Sequence, residues 1–244
     1  MTSFQEFSQQ KAPERSSGEI ISHAFEMYKG IFLYELLAMV LYFVVSLLVQ
    51  PVSGFDSREF SEVISSSDGD FSSVNVWSVP GLKLYYGLSG LLSLILAPLF
   101  VGLIYMANKY NFNQPLQVSD LFIGYKQNFL NIVLYSLVSS VVMGIAFMMC
   151  VIPGFLVLPF FLLGYPILLF ENASFGEALG KSFKIAKENY GVLLGASVLG
   201  LLISLAGVVL CGIGIIATAL FYFAVMYSAY CAFCGTPRQI EYKN

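Results

Sequence analysis

Six long apolar runs constrain this chain more than any other feature in it. They cover residues 31–49, 82–107, 129–151, 155–170, 192–210 and 213–234, and the only charged side chains inside them are Glu35 and Lys83. A bilayer core about 30 Å thick is crossed by roughly 20 helical residues, so runs of this length suit a membrane. Water is a poor solvent for such a chain: 57% of its 244 residues are apolar and 11% charged, against about 45–50% and about 25% in soluble domains. The runs are continuous and lack period-two alternation, which excludes a β-barrel wall. The expected fold is an all-α membrane protein with six transmembrane helices. The fourth run is short and follows Ile152-Pro153-Gly154, read as a tight turn between antiparallel neighbours. A re-entrant segment is the alternative there.

Charge sets the expected orientation. With six spans both termini share a side, and ten of the twelve bases fall on it: Lys11, Arg15, Lys29, Lys109, Lys126, Lys181, Lys184, Lys187, Arg238 and Lys243. Arg58 and Lys83 fall opposite, Arg58 among Asp56, Glu59, Glu62, Asp68 and Asp70. The positive-inside rule then places both termini in the cytoplasm, as expected of a multi-pass protein of the bacterial inner (plasma) membrane. Residues 1–17 form a polar cytoplasmic tail without the apolar core of a signal peptide. Residues 18–235 are the membrane domain, and 236–244 a second cytoplasmic tail. Within the domain, residues 51–80 form an extracytoplasmic loop whose Ser65-Ser66-Ser67 and Asp68-Gly69-Asp70 read as solvated and mobile. The net charge of −3 and the scatter of the bases argue against nucleic acid as a partner.

Three polar linkers share a pattern. Phe25 and Lys29 precede Phe32, Phe122 and Lys126 precede Phe129, and Phe183 and Lys187 precede Tyr190, each spaced Phe-x-x-x-Lys-x-x-(Phe/Tyr) and each before an odd-numbered span. The i, i+4 pair puts ring and lysine on one side of a helix. An amphipathic helix in the headgroup plane, ring in the acyl boundary and lysine toward phosphate, fits that pattern. Ser174 and Glu177 have capping-box spacing for the third copy, and Ser119-Asp120 offers an N-cap to the second. The expected architecture is three repeats of interfacial helix plus transmembrane hairpin.

At these residues the chain resembles uncharacterised bacterial six-helix membrane proteins related to the membrane domain of some glycerophosphodiester phosphodiesterases. Asp120-Leu121-Phe122 with Tyr125-Lys126, Ile152-Pro153-Gly154, and Glu177-Ala178-Leu179 with Lys181-Ser182 and Lys187 carry the likeness. In the fused relatives hydrolysis belongs to a separate soluble barrel. The resemblance therefore implies a membrane part without the phosphodiesterase.

Candidate chemistry is sparse. His23, the only histidine, is expected on the polar side of the first interfacial helix. Cys231 and Cys234 have C-x-x-C spacing but no strand-to-helix setting, so packing is expected. Cys150 and Cys211 end equivalent spans; small buried residues are expected, with a disulfide as the alternative. No catalytic constellation, cofactor or metal site is visible. Glu35 is expected to snorkel to the interface or to pair with Lys29, Lys126 or Lys187, with a proton or substrate relay as the alternative. Pro159 and Pro166, seven apart with Gly164 between, mark a kinked fourth span. Small residues at four-residue spacing, Gly191 with Gly195, Ala196 with Gly200, and Ser89, Ser93 and Ala97, permit close helix packing.

The functional expectation is a non-enzymatic scaffold, accessory subunit or lipid-organising factor that works through a basic cytoplasmic collar. Its partners would be the bilayer, anionic lipids first, and a membrane protein or a second copy of the chain. The alternative is a small-solute transporter or channel using the kinked fourth span and Glu35.

Overall fold

The computed structural model describes residues 12–65, 75–209 and 214–237, and among them there is no strand. The helices are α1 (Ser17–Leu47), α2 (Val49–Ser53), α3 (Ser57–Ser65), α4 (Leu82–Asn111), α5 (Ile123–Lys126), α6 (Phe129–Met149), α7 (Val151–Phe161), α8 (Gly164–Phe170), α9 (Phe175–Glu188), α10 (Tyr190–Ala206), α11 (Gly214–Thr218) and α12 (Phe221–Cys234). Five helical stretches are long and apolar enough to cross a membrane, and the bent pair α9–α10 makes a sixth when counted as one span. On α6, Leu130, Leu134, Leu137, Val141, Ile145 and Met148 are all exposed. They recur at three- and four-residue steps and form one apolar stripe, which acyl chains solvate and water does not. The chain is a multi-pass, all-helical membrane protein.

It divides into two compact units, Met39–Leu96 and the combination of Met1–Ala38 with Ala97–Asn244. In the larger unit α12 is buried on every side from Ala224 to Cys231. Helix α10 reaches α12 through Gly200, where a Cβ would sit 3.0 Å from Val225. Helices α6 and α7 form a hairpin, and a Cβ on Gly154 would lie 2.3 Å from the Phe147 ring. The hairpin turns at Cys150, in extended conformation (φ −173°, ψ 155°), not at Ile152-Pro153-Gly154. Those three residues open α7, where a proline forfeits no intrahelical bond.

The fourth span covers Val151–Phe170, 20 residues in all, but it breaks at Leu162 and Leu163, between Pro159 at the end of α7 and Pro166 in the first turn of α8. Two of the carbonyls at the break are taken up by side chains. Tyr135 donates to Phe161 at 2.9 Å and Ser182 to Phe160 at 2.6 Å. Gly164 leaves the space that the Tyr135 ring occupies. The sixth span breaks as well, between α11 and α12, a break its uninterrupted apolar sequence does not announce.

The three linkers take three forms. The first shows no turn into the bilayer: Phe25, Lys29 and Phe32 lie inside one unbroken α1. The second is a 3₁₀ turn, Val118–Phe122, followed by the single turn of α5. Asn128 in left-handed conformation (φ 56°) then redirects the chain into α6. Only the third is a full helix, α9, which meets α10 at 107°. Its Ala178, Ser182 and Ala186 are buried at every fourth position, while Lys181, Lys184 and Lys187 are exposed.

In the smaller unit the loop expected to be solvated throughout carries α2 and α3. Phe55 packs on Phe60 and Tyr85, with ring centroids 6.0 and 4.9 Å apart, and the Asp56 carboxylate accepts from the Arg58 N–H at 2.8 Å, starting α3. Gly81 has φ +73°, and a Cβ there would meet the Gly54–Phe55 backbone at 2.6 Å. The Ser66–Ser67 and Asp68–Asp70 part of the loop lies outside the described residues, as do Cys211, Lys11, Arg238 and Lys243. Cys150 is exposed, with a free thiol.

Candidate functional site

The collar lysines separate into two groups. Lys109 is held by Asp120 at 2.7 Å and Lys181 by Glu171 at 2.6 Å. Asp120 also accepts from the Gln117 N–H at 2.8 Å, so it closes the turn from inside and is not its N-cap. Tyr230 donates to Glu171 at 2.9 Å, and Arg15 donates to the Ala232 carbonyl at 3.1 Å while stacking over Phe233. Lys29, Lys126, Lys184 and Lys187 are exposed, and none forms an ion pair among the described residues. Among the described residues of the collar they are the cations left available to a ligand.

The aromatic half of the pattern divides too. Phe122 and Phe129 are exposed beside Lys126. Phe25 is exposed at its edge and packs on Phe221, ring centroids 4.6 Å apart, and Phe32 lies against Tyr28. In the third copy Phe183 stacks on Phe160 at 4.6 Å, and Tyr190 donates to the Leu156 carbonyl at 2.9 Å. Both fasten α9 and α10 to α7 in place of an outward anchor. The capping box forms as its spacing indicates: the Ser174 N–H donates to Glu177 at 2.8 Å and the Glu177 N–H to the Ser174 hydroxyl at 3.4 Å. The backbone N–H of Ser174, and then its hydroxyl, hold the Glu177 carboxyl below the usual carboxylate range.

No known protein family, curated protein or solved structure matches this chain.

Glu35 neither snorkels nor pairs with a lysine. The inward face of α1 runs Ile20, Ala24, Met27, Ile31, Glu35, Ala38, all nearly inaccessible, with Glu35 1% exposed. Neither of its carboxyl oxygens has a hydrogen-bond partner among the described residues. Lys29 lies off that stripe and is exposed, as are Lys126 and Lys187.

His23 is buried, not on a polar surface. Its Nδ1 is 2.8 Å from the Ser228 hydroxyl and its ring stacks on Tyr227. Tyr227 donates to Asn108 at 3.0 Å and accepts from Asn111 at 2.9 Å. This polar cluster ties α1, α4 and α12 together, and apart from the lone histidine nothing in the sequence flags it. Among the described residues no group of three or more His, Cys, Asp or Glu gathers as metal ligands would. Of the small-residue spacings, Gly195 and Gly200 make close contacts, Gly195 beneath Ser17 and Gly200 beneath Val225, whereas Gly191 has nothing within 4 Å of where a Cβ would stand.

Proposed function

We propose that the chain is a non-enzymatic membrane protein, an organising or accessory component that holds anionic lipid through its basic collar. The observation that carries this reading is the exposure of Lys29, Lys126, Lys184 and Lys187 without ion pairs, with exposed Phe122 and Phe129 beside Lys126. A lysine near a bilayer surface contributes about 1 kcal/mol toward anionic headgroups, and adjacent rings settle at the same level. The reading keeps the collar on the cytoplasmic face of a bacterial inner membrane. It also keeps the threefold linker pattern and the kinship with phosphodiesterase-associated membrane domains as proposals.

Native mass spectrometry of the full chain, extracted in mild detergent, tests it. Wild type should retain anionic lipids, and the Lys29→Gln, Lys126→Gln, Lys187→Gln triple variant should lose most of them while remaining folded. Unchanged retention in the triple variant, or a wild-type chain stripped of lipid and of any stoichiometric protein partner, overturns the proposal. The transporter alternative draws support from the unpartnered Glu35. The fourth span adds little to it, since Tyr135 and Ser182 occupy two of the carbonyls at its break.

A further inference from the structure

We propose that Glu35 is a proton-exchange site: its carboxyl carries H⁺ in this conformation and gives it up when water reaches it. The site requires neither the collar reading nor transport of a solute.

Three observations converge on it. Glu35 occupies the inward face of α1 and is 1% exposed; the buried positions around it, Met27, Ile31, Ala38 and Met39, are apolar, and the other buried ionisable side chain on that face, His23, lies about three turns away and bonds Ser228. Both oxygens lack a partner among the described residues, so the carboxyl contributes no hydrogen bond to the fold, and a structural role leaves its retention on an apolar stripe unexplained. Three candidate donors on α1 and α4 are committed elsewhere. The Tyr28 hydroxyl, on the same helix, bonds the Ala217 carbonyl. The Tyr34 hydroxyl bonds the Leu116 carbonyl at 3.1 Å, and Lys109 is held by Asp120.

The elements packed on this part of α1 are α4, whose Tyr110 ring fills the space under Gly30, α11 through Ala217, and α12 through Phe221. Their ionisable groups are Lys83, Tyr85, Tyr86, Tyr105, Lys109 and Tyr110 on α4, and Tyr222, Tyr227, Tyr230, Cys231 and Cys234 on α12, with none on α11. None of them bonds Glu35.

An ionised carboxylate so enclosed needs a counter-cation. A metal ion demands several oxygen ligands, and no such cluster exists among the described residues. A proton needs a single oxygen, and the lone carboxyl is enough to hold it.

A hydrophobic carbodiimide, N,N′-dicyclohexylcarbodiimide, tests this on the full chain in liposomes, because it adds to a protonated carboxyl in an apolar setting and leaves a stable N-acylurea. Peptide mapping by mass should find the adduct on Glu35 and not on Glu19 or Glu26. Its rate should fall as the pH is raised, approaching tenfold per unit once the group titrates. No adduct on Glu35 overturns the proposal, and so does labelling at one rate throughout, which marks a permanently neutral acid. The wild-type map stands whether or not Glu35→Gln folds. Where that variant does fold, it should lose the adduct.

Discussion

The Tyr135 hydroxyl reaches the Phe161 carbonyl from a side chain that is 1% exposed. A broken helix inside a bilayer survives only if other groups replace its lost backbone bonds, and at this break Tyr135 and Ser182 do so. Tyr135→Phe keeps the ring against Phe161 and Tyr165 but leaves the carbonyl unsatisfied, a loss of about 1–3 kcal/mol. Its thermal midpoint in detergent should fall below wild type, and an unchanged midpoint would show that the carbonyl finds another donor. Half of this arrangement was legible in the sequence. Pro159, Gly164 and Pro166 mark the kink, but the residue that makes it tolerable lies on another helix, 26 positions from its partner. Glu35 is a similar case. Its place within an apolar run is visible, whereas its lack of a lysine partner among the described residues depends on how the side chains of other elements turn.

Among the elements, α4 and the linker after it cross backbone against backbone. A Cβ on Gly102 would lie 2.2 Å from the Leu121 carbonyl oxygen, and one on Gly124 would lie 2.4 Å from that of Pro98. Both obstacles are backbone and cannot swing aside. Gly102→Ala should therefore destabilise by about 1–3 kcal/mol through overpacking and free the turn that holds Asp120 against Lys109. Gly191→Ala meets nothing and should leave the thermal midpoint almost unmoved. Equal effects from the two substitutions would refute this division. The sequence pointed the other way, because GxxxG spacing shows which glycines share a helix face and not which face meets a neighbour. Element ends were more legible: from the second run on, the apolar runs bound the spans closely, whereas α1 begins at Ser17, well before residue 31, and the Ser174–Glu177 pair starts α9 at Phe175. The turn at Cys150 falls two residues before the Ile152-Pro153-Gly154 signal, and the break before α12 carries no local signal.

For the molecule as a whole, the number of crossings between two exposed markers decides the topology. Glu62 on α3 and Lys184 on α9 are both exposed, and α4, α6 and the α7–α8 span separate them. If each of the three crosses fully, the markers are expected on opposite faces. If α7–α8 instead dips in and returns, the count falls to two and both markers share a face, carrying Lys181, Lys184 and Lys187 away from the other bases, which the positive-inside bias disfavours. Ser182 is a poor marker despite its neighbours, since it is fully buried under α7. In a chain with its native cysteines replaced, a membrane-impermeant maleimide applied to intact cells should label Glu62→Cys. It should reach Lys184→Cys only after the membrane is opened. Labelling of both from outside would make the broken fourth span re-entrant. Labelling of Lys184→Cys alone would invert the whole protein, and the unpaired lysines of the collar would then face a leaflet with no cytoplasmic partner to meet.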